Sequence, residues 1–85
     1  MKVNMKLLRR ALVTAPTPTW RAGLNTCLGI VEANAVPVHG DVYEVDGKAW
    51  MRAMNICWRL PSGGRWVWKF RESLGWAIQK ATKEV

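Results

Sequence analysis

The first apolar residues of the chain recur with the spacing of an amphipathic helix. At about 100° per residue, one broad side carries the apolar side chains Val3, Leu7, Leu8, Ala11 and Leu12. The opposite side carries four cations, Lys2, Lys6, Arg9 and Arg10. This separation predicts a helix with a basic stripe. Prolines at positions 16 and 18 disfavour helical geometry in the residues before them, so we expect this helix to end near Val13.

A second helical pattern follows the prolines. Its apolar residues recur at intervals of 4, 3, 1, 3 and 4 residues, namely Trp20, Leu24, Cys27, Leu28, Val31 and Ala35. Two N-terminal caps fit this pattern, either Thr17 with Pro18 at the first helical position or Thr19 in its place. Pro37 then ends the helical pattern, because proline cannot donate a helical hydrogen bond.

The centre of the chain changes to strand and turn signals. Residues 41–45 alternate between polar and apolar side chains. Asp46-Gly47 is a dipeptide that type I′ hairpin turns favour, because both central residues of such a turn need a positive φ. The turn would pair three sets of residues across the hairpin: Val45 with Lys48, Tyr43 with Trp50, and Asp41 with Arg52.

Residues 48–60 fit two structures. Their polar residues recur at intervals of 4, 3 and 4, which suits a helix: Lys48, Arg52, Asn55 and Arg59. From Met54 onward, however, apolar and polar residues alternate as in a strand. After a turn over residues 61–64, the apolar residues Trp66, Trp68 and Phe70 alternate as well. We therefore favour a three-stranded antiparallel meander, and a helix over Lys48–Arg59 is the alternative.

The last segment, residues 72–85, has helical spacing. Its apolar residues fall within about 100° of one another: Leu74, Ala77, Ile78, Ala81 and Val85. Trp76 lies about 200° from Leu74 and should point away from the core. The predicted fold is a small α+β domain over residues 1–85, with two N-terminal helices, a three-stranded antiparallel meander and a C-terminal helix that packs on the tryptophan side of the meander.

The composition indicates a small globular protein. The chain has 85 residues, of which 49% are hydrophobic and 22% charged, enough apolar material for a thin core. No apolar run approaches the roughly 18 residues of a membrane span, and the start of the chain lacks the pattern of a secretory signal. Cys27 and Cys57 lie in apolar segments, which predicts reduced core thiols and a cytoplasmic protein.

The charge points to an acidic partner. Thirteen Lys and Arg residues against six Asp and Glu residues give a net charge of +7. Nucleic acid, an anionic membrane surface and an acidic protein face all fit this charge.

Nine residues are candidates for binding such a partner. They fall on the first helix, the predicted hairpin and the last helix: Lys6, Arg9 and Arg10; Arg59, Lys69 and Arg71; Trp76, Lys80 and Lys83. The cations can neutralise phosphates, and an exposed Trp76 can stack on an unpaired base or anchor a protein interface. The other five tryptophans are predicted to fill the core.

Catalysis is not predicted. His39 is the single histidine, so the chain cannot build a histidine metal cluster. Asp41, Glu44 and Asp46-Gly47-Lys48 resemble the acidic residues and the lysine of restriction-type metal nucleases, but the predicted hairpin accounts for Asp46 and Lys48 as its turn and flank. We expect no metal and no cofactor.

These observations lead to two functional hypotheses. The first is a non-catalytic protein that binds nucleic acid through backbone phosphates, with weak sequence preference. The second is a small inhibitor or adaptor, of the kind found in phages and mobile elements, that docks on an acidic surface of a host protein or nucleoprotein complex. The sequence predicts no membrane span, and it does not determine the oligomeric state.

Overall fold

The computed structural model describes residues 1–15, 17–60 and 67–85. Within them the chain forms seven elements: β1 (Lys2–Asn4), α1 (Met5–Val13), α2 (Pro18–Ala33), β2 (Ala35–His39), β3 (Val42–Val45), α3 (Gly47–Arg59) and α4 (Val67–Lys83). The strands form one antiparallel sheet in the order β1-β3-β2. The predicted α+β class with a three-stranded antiparallel sheet is therefore confirmed, but the strands come from different parts of the chain than predicted.

The two N-terminal helices lie close to their predicted positions. Asn4 caps α1 by accepting a hydrogen bond from the backbone N–H of Leu7 (3.2 Å). Thr17 caps α2, because its Oγ1 accepts a hydrogen bond from the backbone N–H of Trp20 (3.2 Å) and Pro18 occupies the first helical position. Of the two predicted caps, Thr17 is therefore confirmed and Thr19 is wrong. The basic first segment differs at its start, where residues 2–4 form β1 before the helix begins.

The sheet places β3 in its centre. Val3 lies opposite Tyr43 in the β1–β3 pair, and Pro37 lies opposite Tyr43 in the β2–β3 pair. Gly40 makes the tight turn between β2 and β3 with φ +52°, a conformation that glycine adopts without steric cost. β2 is an edge strand, the position in a sheet where proline is tolerated. Ala35 belongs to this strand and not to the preceding helix, which ends at Ala33.

The predicted hairpin turn at Asp46-Gly47 is wrong, because Asp46 begins a helix. Its carboxylate accepts a hydrogen bond from the backbone N–H of Ala49 (3.2 Å), and its φ of −56° does not fit a type I′ turn. The three residue pairs predicted across that hairpin do not form. The strand favoured over residues 48–60 is also wrong, and the alternative of a helix over Lys48–Arg59 is confirmed. Asp is a favoured residue both in turns and at helix N-caps. Here the cap prevails because a helix buries Ala49, Ala53 and Cys57 on one side.

The strand predicted after the turn is also wrong over residues 67–71, because α4 begins at Val67. A helix continues the apolar stripe of Leu74 backward through Phe70 and Val67, at intervals of four and three residues. Trp58 and Trp68, predicted as core, are 38% and 61% exposed. The predicted turn at 61–64 and Trp66 lie outside the described residues.

The helices bury most of the core. The contacts between α2 and α3 and between α1 and α4 are the most extensive between helices. Leu8, Leu12, Leu24 and Val31 are fully buried. The rings of Trp20 and Phe70 join α2 to α4, with centroids 4.5 Å apart. None of the helices in the described part of the chain is long and apolar enough to cross a membrane.

Candidate functional site

The solvent side of α3 carries a continuous basic surface, which we call the α3 face. It consists of Lys48, Met51, Arg52, Asn55 and Arg59, all of them exposed. The same residues, with Gly47 and Ile56, line a shallow groove of about 670 Å³.

The spacing of these residues follows from how α3 packs. Ala49, Ala53 and Cys57 are buried at intervals of four residues, so the opposite side of the helix must face solvent. The three cations, at intervals of four and seven residues, then point within about 40° of one another. They extend over about 16 Å of the helix.

The α3 face holds its positive charge without internal compensation. In the part of the chain that the structure describes, no carboxylate lies within ion-pair distance of Lys48, Arg52 or Arg59. Lys48 and Arg52 lie one helical turn apart, a like-charge arrangement that costs about 0.2–0.5 kcal/mol in a helix. An anionic partner would remove this repulsion.

A second basic surface involves α4 and α1. Trp76 is 67% exposed, as its helical spacing predicts, and it shares a groove of about 530 Å³ with Lys80 and Lys83. Arg10 of α1 lines a neighbouring groove of about 320 Å³ together with Lys80. We call Arg10, Trp76, Lys80 and Lys83 the α4 surface. Lys80 also lies 4.0 Å from Glu84, in an exposed ion pair.

The other predicted residues of α1 have different environments. Lys6 is exposed. Arg9 is bound to α2, because its Nε donates a hydrogen bond to Glu32 Oε1 (2.7 Å). This hydrogen bond raises the pKa of Arg9. Arg9 thus contributes to the contact between α1 and α2, and it is less available to an external anion than Lys6.

The predicted cluster of Arg59, Lys69 and Arg71 on one hairpin face does not form, because the hairpin is absent. Arg59 ends α3, whereas Lys69 and Arg71 lie in the first two turns of α4. Lys69 Nζ lies 5.7 Å from the ring centroid of Trp68, within the range of a cation–π interaction.

Sequence reasoning did not select Lys48, Arg52 and Asn55 as binding residues. The signal that identifies them is their spacing: together with Arg59 they recur at intervals of four, three and four residues, which places them on one side of a helix. In a strand the same residues lie on two opposite faces. A second signal is also present in the sequence. From Gly47 to Arg71 the chain contains six cations and no Asp or Glu.

The cysteine, aspartate and histidine residues that could take part in catalysis or metal binding have structural roles or lie in separate elements. Cys27 and Cys57 are free thiols, fully buried between α2 and α3. The hydrogen bond between them raises the pKa of Cys57 and lowers the pKa of Cys27. Asp46 caps α3, and His39 is exposed at the end of β2. Over the described ranges, no group of three or more His, Cys, Asp or Glu side chains is placed to hold a metal ion.

Comparisons with known proteins do not indicate a function for this chain. No family model matches this chain, no curated protein matches it, and no solved structure matches it.

Proposed function

We propose that this protein binds nucleic acid, without catalysis, through the α3 face. The observation that carries the proposal is the stripe of Lys48, Arg52 and Arg59. These are three exposed cations within about 40° on one helix, with no carboxylate beside them in the described residues. Cations arranged in this way neutralise phosphates and release counterions, which gives affinity that decreases with salt. The net charge of +7 supports the same partner. The protein would act in the cytoplasm.

A salt titration tests this proposal. Binding of a fluorescent duplex of about 20 base pairs is measured by anisotropy between about 50 and 200 mM salt. Three neutralised phosphates give a slope of about −2.7 in a plot of log affinity against log salt, and five give about −4.5. Lys48→Ala should lower the affinity and make the slope shallower by about 0.9.

Lys2→Ala is the matched control, because it removes one exposed positive charge from β1 and leaves α3 intact. Equal effects of the two substitutions would mean that net charge, and not the α3 face, governs binding. Absence of duplex binding at low salt would reject the proposal.

A second candidate function is an inhibitor or adaptor that docks on an acidic protein. The observation that favours it is the 67% exposure of Trp76 beside Lys80 and Lys83, because tryptophan is enriched among interface anchors. Parallel pull-downs from lysate with and without nuclease separate the two functions. A protein band that survives nuclease and is lost with Trp76→Ala would favour docking, whereas nuclease-sensitive recovery of DNA or RNA would favour the first proposal.

A further inference from the structure

The α3 face exposes more kinds of side-chain group than phosphate binding requires. Beside its cations it exposes the amide of Asn55 and the apolar side chain of Met51, which is 64% exposed. Phosphates are recognised by positive charge and hydrogen-bond donors. Base edges, by contrast, are recognised by paired donors and acceptors and by apolar contacts. The combination of guanidinium, amide and apolar groups on one side of a helix is the set that base recognition uses.

The spacing of these groups suits a helix that lies in a groove. Lys48, Met51, Arg52 and Asn55 occupy positions i, i+3, i+4 and i+7 of α3. Helices that read the major groove contact bases through three or four side chains with this kind of spacing. Arg52 and Asn55 are about 4.5 Å apart along the axis, a little more than one base-pair step. Arg59 lies about 6 Å further, close to two more steps.

The dimensions favour duplex DNA over duplex RNA. An α-helix with its side chains is about 10–12 Å wide, and the major groove of B-DNA is about 12 Å wide. The major groove of A-form RNA is deep and narrow, and side chains cannot read it. α3 packs mainly against α2, and its opposite side is exposed along its length.

We infer that the α3 face reads base pairs in the major groove of duplex DNA, an inference that rests on the proposed function and deepens it. Arg52 and Arg59 donate two hydrogen bonds each to the O6 and N7 atoms of guanine, and Asn55 pairs with the N6 and N7 atoms of adenine. Met51 makes an apolar contact with a thymine methyl group. Lys48, a point charge in the first turn, binds a backbone phosphate. The resulting preference covers about four base pairs, in contrast to the weak sequence preference expected from charge alone.

Selection from a pool of random DNA duplexes by the full chain tests this inference. We expect enrichment of a short motif that contains guanine and adenine at adjacent or nearly adjacent positions. Asn55→Ala should relax the preference for adenine at one position by about 5- to 150-fold and leave the salt slope unchanged. Asn55 is exposed, and Ala is a better helix former, so this variant should fold; its circular dichroism spectrum checks this.

Lys48→Ala is the comparison on the same helix. It should weaken binding to all duplexes by a similar factor and reduce the salt slope by about 0.9, without changing the selected motif. Salt-dependent binding of all duplexes within about twofold would overturn base reading and leave the proposed function intact. Equal affinity for duplex RNA of the same sequence would overturn the major-groove assignment. Failure to bind any duplex would reject the proposed function itself.

Discussion

At the scale of single residues, the glycines of α2 show how local surroundings decide the effect of one methyl group. A Cβ added at Gly29 would meet no atom within 4 Å. A Cβ added at Gly23 would lie 2.8 Å from Leu60 Cδ1, so the Leu60 side chain would have to move. Both glycines lie inside the helix, where glycine is less favourable than alanine by about 1 kcal/mol.

Gly29→Ala should therefore stabilise the protein by about 0.5–1 kcal/mol, because it reduces the backbone freedom of the unfolded chain without a new clash. In a domain of this size the midpoint of thermal unfolding should rise by about 4 °C, measured by circular dichroism. Gly23→Ala is the matched control and should gain less, since displacement of Leu60 offsets the helical gain. Equal stabilisation by both substitutions would show that Leu60 does not restrict Gly23.

At the scale of elements, Asp46 determines where the sheet ends and the basic helix begins. Its carboxylate accepts from the N–H of Ala49, and its carbonyl accepts from the N–H of Trp50 (2.9 Å). The N–H of Asp46 donates to the carbonyl of Asn34 (3.1 Å), which ties the start of α3 to the end of α2. The cap thereby also orients the α3 face.

Asp46→Ala should destabilise the protein by about 1 kcal/mol, because it leaves an N-terminal N–H of α3 without its side-chain acceptor. The expected decrease of the thermal midpoint is about 4–8 °C. Asp46→Asn retains an acceptor oxygen and should preserve most of the stability. Asp41→Ala controls for the loss of one negative charge, because Asp41 is exposed in the β2–β3 turn. A similar decrease of the thermal midpoint in this variant would mean that charge, and not the cap, accounts for the effect of Asp46→Ala.

At the scale of the whole molecule, the contact between α2 and α3 joins the core to the proposed binding surface. The two helices run antiparallel, since Gly23 approaches Leu60 near one end and Asn34 binds Asp46 at the other. Cys27 and Cys57 meet between them and are fully buried. The thiols are accessible only when α2 and α3 separate, so their reactivity reports on the opening of the core.

Both native thiols should react with a thiol reagent about 1,000-fold or more slowly than in the unfolded chain, because reaction requires an opening of several kcal/mol. The rate should increase with added urea. Asn55→Cys, which places a thiol on the exposed side of α3, should react at once and serves as the control. Reaction of the native chain within the mixing time would mean that the α2–α3 contact opens independently of the core.

Much of the helical structure follows from local sequence. The apolar spacing predicts α1, α2 and most of α4, and Thr17-Pro18 predicts the start of α2. The exposure of Trp76 also follows from its angle on α4. These properties depend on residues within a few positions of one another, so the sequence by itself determines them.

Tertiary structure decides the remainder. The sequence of residues 48–60 fits both a strand and a helix, and burial of Ala49, Ala53 and Cys57 on one side of α3, which packs mainly against α2, selects the helix. The sheet pairs Val3 with Tyr43, forty residues away, and no local pattern specifies such a partner. The helix in turn gathers Lys48, Arg52 and Arg59 on one side. Which cations share a surface therefore depends on packing between distant segments, because burying one face of a segment is what exposes the other.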